Sequence, residues 1–219
     1  MTVLPGMTVL RGRILVGGLA TAAFVGVASA ASAAPGHFGR PPRPNEVRPA
    51  LPAGQSNPAI ADGVAVGGRV ATYTASGLGP REANTSAPAG SPERYSEYIT
   101  PPPGVTITEA QALNVLKQIA ANLKAQGLTL RDVISMRAYL ANAPGSDTAD
   151  FAGWNRAYRQ YFANTDLSTG APVKVPLGTA PPALPTYVNS ARPSRVTLEI
   201  ENLPVPGWLV EVEIVAAFR

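Results

Sequence analysis

Between residues 113 and 123 apolar side chains return every three or four positions. Leu113, Leu116, Ala120 and Leu123 form one stripe, widened by Val115 and Ile119. This is the period of an α-helix with one buried face. Thr108 and Gln111 have capping-box spacing at its start, and Gly127 sits where a left-handed C-terminal cap belongs. The period then changes to two. In "DVISMRAYL", residues 132–140, Ile134, Met136, Ala138 and Leu140 share one face of a strand. The helical period returns in "DTADFAGWNRAYRQYF", with Asp147, Thr148 or Asp150 as candidate N-caps. Here Phe151, Trp154, Tyr158, Tyr161 and Phe162 recur at helical spacing. Such an aromatic stripe is more often core than ligand cage.

Both ends of this region alternate as strands do. "GVAVGGRVATYTASG", residues 63–77, gives two short β-type runs around Gly67-Gly68, the signal of a hairpin. Residues 195–201 and 209–218 give two closing strands joined through "NLPVPGW" and expected to pair as a second hairpin. The order is β-β-α-β-α-β-β. It predicts an α+β domain in which one mixed sheet carries two helices on one face. The other sheet face must be solvated or covered by another subunit.

Three stretches lack apolar periodicity. Residues 34–57 read as a Pro-rich leader that is mobile or extended, and Pro/Gly-rich insertions fall near 79–105 and 164–191 of a domain spanning 58–219. Ahead of them, residues 1–33 read as an export signal. Arg11 and Arg13 precede an apolar run, Ile14 to Ala30, and "ASA" at 31–33 is a small-residue cleavage site. The rival reading is a membrane anchor, but the run is short, rich in Gly and Ala, and not followed by a basic stop. Export followed by cleavage is therefore expected, leaving no attachment to a membrane. Met1 and Met7 both begin "MTVL", so either is a possible start.

Composition narrows the chemistry. The chain carries 18 Lys and Arg against 14 Asp and Glu; without Arg11 and Arg13 the formal charge falls from +4 to +2. So small a charge predicts no nucleic-acid footprint. There is no cysteine, which excludes disulfides, thiolate metal sites and a cysteine nucleophile, and the one histidine, His37, lies in the Pro-rich leader. A histidine triad and a multi-histidine metal site are excluded with it. "TASGLG" around Ser76 lacks the nucleophile-elbow pattern, so Ser76 reads as a turn or cleft-lining residue. The closing strands are more suggestive. Arg195, Thr197 and Glu199 alternate with Val196, Leu198 and Ile200, while Glu211 and Glu213 stand among valines. Taken alone, these charges predict a surface ion-pair ladder of little energy.

"PSRVTLEIENLP" followed by "GWLVEVEIVA" resembles the C-terminal signature of the Rid proteins, the YjgF-type reactive-intermediate deaminases. Ser76-Gly77, the helix-"GL"-"DVISMRAYL" unit and "DFAGWNRAYRQYF" follow in that family's order, covering about 110 residues in three blocks. The insertions and export signal resemble a secreted branch. The resemblance implies a chorismate-mutase-like α+β fold and a homotrimer with inward-facing sheets and three clefts between subunits. It implies hydrolysis of 2-imino acids and their enamine tautomers, such as 2-aminoacrylate and 2-iminopropanoate, to 2-keto acids and ammonia, with no metal or organic cofactor. On that resemblance Arg195 binds the substrate carboxylate and Glu211 holds or activates the attacking water. Ser76 and Gly77 line the cleft, Asn155 lies beside it, and Thr197 stands where relatives often have cysteine.

The chain departs from its relatives at two points. Their tyrosine before the first strand has no match, Ile60 or Ala61 falling near it, and the last turn is one residue longer. Three functions follow as alternatives: an exported imine deaminase, a non-catalytic trimer binding a small carboxylate metabolite, and a ribonuclease. The small charge and the export signal disfavour the last.

Overall fold

Helix α1 (Ile107–Ala125) is the longest element of the computed structural model, which describes residues 39–218. Residues 1–33, read from the sequence as an export signal, lie outside those residues, as does His37. The apolar stripe of α1 is fully buried at Val115, Leu116, Ile119 and Leu123. Its N-cap is Thr106, whose hydroxyl accepts from the Glu109 amide at 3.1 Å, and not Thr108, which is buried inside the first turn. At the other end Gly127 has φ +72°, the left-handed cap its position predicts.

The remaining elements are β1 (Val47–Ala50), β2 (Gly63–Val66), β3 (Thr72–Thr74), β4 (Val133–Leu140), α2 (Phe151–Tyr161), β5 (Ser194–Glu199) and β6 (Val210–Ala217). Asp150 is the α2 cap, accepting from Gly153 N at 2.7 Å. Strands β3, β6, β4 and β5 form, in that order, one sheet that is antiparallel except for the β4–β5 pair. The buried face of β4, with Met136, Ala138 and Leu140, and that of β6, with Val210, Val212 and Ile214, meet the helices. Trp154, Tyr158 and Phe162 of the α2 region close the core, their rings 6.2 and 5.3 Å apart in sequence. The α+β layering expected from the sequence is present.

Two pairings differ from expectation. Gly67-Gly68 is not the turn of a hairpin. Strand β2 pairs antiparallel with β1, a strand inside the Pro-rich leader, while β3 joins the main sheet. Gly67 is needed for close approach: a Cβ there would stand 2.0 Å from the Arg43 carbonyl oxygen, and its N–H bonds Glu46 O at 2.8 Å. The closing strands do not form a hairpin either. Strand β4 lies between β5 and β6, and the connection from Ile200 to Leu209 crosses its end, with Ile200 N on Leu140 O and Ala141 N on Leu209 O.

Buried amides fix the insertions. Asn114 both accepts from and donates to the Arg81 backbone, and Gln111 binds Pro92 O, Gly207 O and Leu209 N. Asn164 and Asn189 similarly bridge Tyr187, Arg159, Leu130 and Tyr161. Each satisfies backbone groups that would otherwise be buried without partners.

Candidate functional site

Strand β5 is an edge strand whose register fixes where its side chains go. Arg195 stands opposite Met136 and Thr197 opposite Ala138, both on the helix-covered face of β4. Arg195 therefore turns toward α2. Its Nη2 donates to Asn155 Oδ1 at 2.7 Å, and its guanidinium lies 4.3 Å from the Tyr158 ring centroid and 5.9 Å from that of Trp154. These contacts orient the fork and stabilise the cation. None of them neutralises it.

Arg195 makes no ion pair among the described residues, and its buried Nη1 has no hydrogen-bond partner. Thr197 Oγ1 on the same strand face and Trp154 Nε1 are also buried without partners. Burial pulls the Arg195 pKa down, because the charged form loses water that no carboxylate replaces. Glu199, the remaining acid on this face, instead accepts from Ala149 N at 3.0 Å ahead of α2. A half-buried, oriented guanidinium without a counter-ion is what a small carboxylate needs for a bidentate grip.

Glu211 belongs to a different place. It stands opposite Tyr139, and Tyr139 is an odd number of positions from Met136, so Glu211 projects from the open face of the sheet. Gly77 packs directly on it: a Cβ on Gly77 would lie 2.0 Å from Glu211 Oε1. Exposed Ser76 adjoins this contact. Glu213 shares the face and meets Arg137 Nη1 at 3.5 Å and the Tyr139 hydroxyl at 3.4 Å. The surface ion pair that the charge pattern suggests is thus made by Glu213, not by Arg195. Among the described residues Glu211 has no cation partner, and burial, followed by the charge of Glu213, raises its pKa.

The six candidate residues consequently form two groups: Arg195, Asn155 and Thr197 on the helix side, and Ser76, Gly77 and Glu211 on the open side. The platform beneath Arg195 was not evident from sequence, because Tyr158 reads only as one member of a core stripe. Its hydroxyl does bond Ala59 O at 2.9 Å as a core tyrosine should, but its ring also carries the arginine. Asn155 three positions earlier was the available signal. Ile60 and Ala61 line a groove of about 460 Å³ with Ser135, Arg137, Ser194 and Arg195. Among the described residues, no three His, Cys, Asp or Glu side chains come together as a metal site.

A family profile described as Endoribonuclease L-PSP matches residues 103–218. A RutC family protein from Pyrococcus horikoshii is 30% identical over 106 residues, covering 48% of this chain and 59% of that protein. Another from Saccharolobus solfataricus is 31% identical over 108 residues, covering 49% and 60%. The chain thus spans less than two thirds of these relatives' lengths. Among solved structures, a YjgF family member from Neisseria meningitidis is similar at 18% identity and TM-score 0.39, covering 81% of this chain and 98% of that one. A YjgF-type protein from Mycobacterium tuberculosis is similar at 19% and 0.38, covering 79% and 100%. With more than half of its length matched by the profile, the chain belongs to the Endoribonuclease L-PSP family, the YjgF/Rid family.

Proposed function

We propose that the protein hydrolyses reactive 2-imino acids and their enamine tautomers to 2-keto acids and ammonia, in clefts between the subunits of a homotrimer. The observation that carries this reading is the Arg195 guanidinium, oriented by Asn155 and Tyr158 and lacking any carboxylate partner. Since Arg195 and Glu211 leave opposite faces of one sheet, they are best brought to one substrate by two copies. The open face supports such packing, with Val196 and Leu198 49% and 46% exposed.

In this scheme Arg195 of one copy grips the substrate carboxylate and sets the C=N carbon beside a water held by Glu211 of the next. The water oxygen bonds to carbon as Glu211 takes its proton. Starting from the protonated imine, Glu211 returns that proton to the carbinolamine nitrogen, and ammonia leaves as the hydroxyl proton passes to Glu211 and the C=O of the keto acid forms. A raised Glu211 pKa suits this two-way proton transfer. No side-chain nucleophile is required. The export-signal pattern read in residues 1–33 supports an activity outside the cytoplasm.

The test generates 2-imino acids from a panel of amino acids with an amino-acid oxidase and follows their clearance, beside a measurement of particle size. Faster clearance by wild type than by Arg195→Ala, from a trimer in both cases, is expected. Equal clearance with a keto acid still bound makes the protein a carboxylate binder. Salt-dependent cleavage of RNA would favour the ribonuclease reading instead.

A further inference from the structure

The small net charge of the protein is unevenly placed. Residues 71–219 carry twelve Lys and Arg against twelve Asp and Glu. Residues 39–70, which hold β1, β2 and their turns, carry Arg40, Arg43, Arg48 and Arg69 against Glu46 and Asp62. All the positive excess after the export signal therefore lies on this one arm.

The fold gathers the four arginines at one end of the arm. Arg69 N donates to Pro44 O and Gly67 N to Glu46 O, both at 2.8 Å, and Arg43 and Arg69 line one groove with Asn45 and Glu46. Arg48 Nη2 donates to Arg40 O at 2.6 Å, which ties Arg40 to the same end. The one acid among them is already engaged. Glu46 Oε2 accepts from Arg43 N at 2.7 Å, and Oε1 lies 3.5 Å from Arg48 Nη1. The Arg43 amide, and then the charges of Arg48, Arg43 and Arg40, hold the Glu46 carboxyl below its ordinary pKa. Asp62 precedes the other end of β2, four residues or about 13 Å of strand from Val66.

Arg40, Arg43 and Arg69 are exposed, and their guanidinium groups make no hydrogen bond or ion pair among the described residues. Elsewhere on the surface Arg94 is paired with Glu82 and Arg137 with Glu213. The arm thus presents several free guanidinium forks on one face, the geometry that grips phosphate oxygens. Its place in the chain favours a bilayer over a soluble polyanion. Arg40 follows Ala30, the end of the apolar run, by ten residues, a reach of at most about 36 Å. The patch is therefore delivered beside the membrane during export.

We propose that the arginine face of the β1–β2 arm docks on an anionic phospholipid surface. Each arginine near such a surface adds to the attraction, and the four act together because one fold holds them. With the export signal cleaved, charge alone keeps the protein there, so attachment is reversible and weakens with salt.

The test measures sedimentation of the full chain with vesicles of phosphatidylcholine alone and with vesicles containing one third phosphatidylglycerol. The ratio of the two affinities cancels any contribution of the apolar run. At 50 mM salt wild type is expected to prefer the anionic vesicles by about tenfold or more, and at 500 mM the ratio should approach one. Arg43→Gln with Arg69→Gln should bring the ratio close to one without moving the thermal midpoint, because neither guanidinium bonds the fold. Lys124→Gln with Lys174→Gln removes the same charge elsewhere and should keep the preference. Equal binding to both vesicles by wild type overturns the proposal, as does a preference that survives the arginine pair or falls equally with the lysine pair. Arginine-dependent binding of RNA or inorganic polyphosphate without any vesicle preference also overturns it, in favour of a soluble polyanion.

Discussion

Arg192 and Arg195 stand three residues apart, and one is saturated with hydrogen-bond acceptors while the other keeps a donor nitrogen unused. Arg192 ties the segment at 57–58 to Thr165 and Ser190 through four oxygens. Arg195 has one amide oxygen and an aromatic face, with Nη1 left over. The first arrangement serves stability, and the second leaves a buried donor without a partner. Substitution should separate them. Arg192→Ala is expected to cost about 3 kcal/mol or more in denaturant unfolding, since it strands several buried acceptors. Arg195→Ala should change stability by less than about 1 kcal/mol. It should nonetheless lower kcat/KM about a hundredfold, and Arg195→Lys should not rescue it, because an ammonium cannot form the bidentate grip.

Gly77 is predicted to act through Glu211. An added methyl would displace the Glu211 carboxylate, the flexible end of a side chain, and leave the backbone alone. Gly77→Ala should therefore lower turnover about ten- to a hundredfold while keto-acid affinity and thermal midpoint stay near wild type. A matching loss of stability would show that the contact is structural.

The raised pKa of Glu211 sets two pH dependences. Turnover needs the ionised carboxylate, so the acid limb of the wild-type profile should lie above the ordinary glutamate range. Stability runs the other way. A carboxyl raised in the folded state favours folding fully below its unfolded pKa, and that contribution is lost as pH rises through the folded value. Glu211→Gln should match wild type in urea unfolding at acid pH and exceed it at neutral pH. No gain at neutral pH would contradict the assigned direction.

Glu109 gives a test of the scaffold. Fully buried, it receives Arg156 Nε and Nη2 at 3.0 and 2.8 Å and the Gly178 amide at 3.0 Å, joining α1 to α2 and to the second insertion. Glu109→Ala leaves Arg156 without its partner and is expected to cost about 3–5 kcal/mol. Unfolding monitored by circular dichroism checks it.

Periodicity made α1, β4, α2 and the alternation of β5 and β6 readable, because each has one face in the core. It could not show β1, where prolines interrupt any alternation and the partner is set by the close approach at Gly67. Nor could it show that β4 separates β5 from β6, since a short connection between two strands ordinarily predicts a hairpin. The alternation of Arg195, Thr197 and Glu199 placed them on one face. Only the register with β4 shows that this face meets the helices and that Glu211 lies behind it. The candidate residues were therefore readable, while their division between the two faces of the sheet was not.

That division is the central claim, and subunit mixing tests it most directly. Arg195→Ala and Glu211→Gln are each expected to be inactive. If the cleft joins Arg195 of one copy to Glu211 of another, equal amounts refolded together should recover about a quarter of the wild-type rate, because random assembly restores that share of intact clefts. Mixed assemblies that form and remain as inactive as either parent would contradict it.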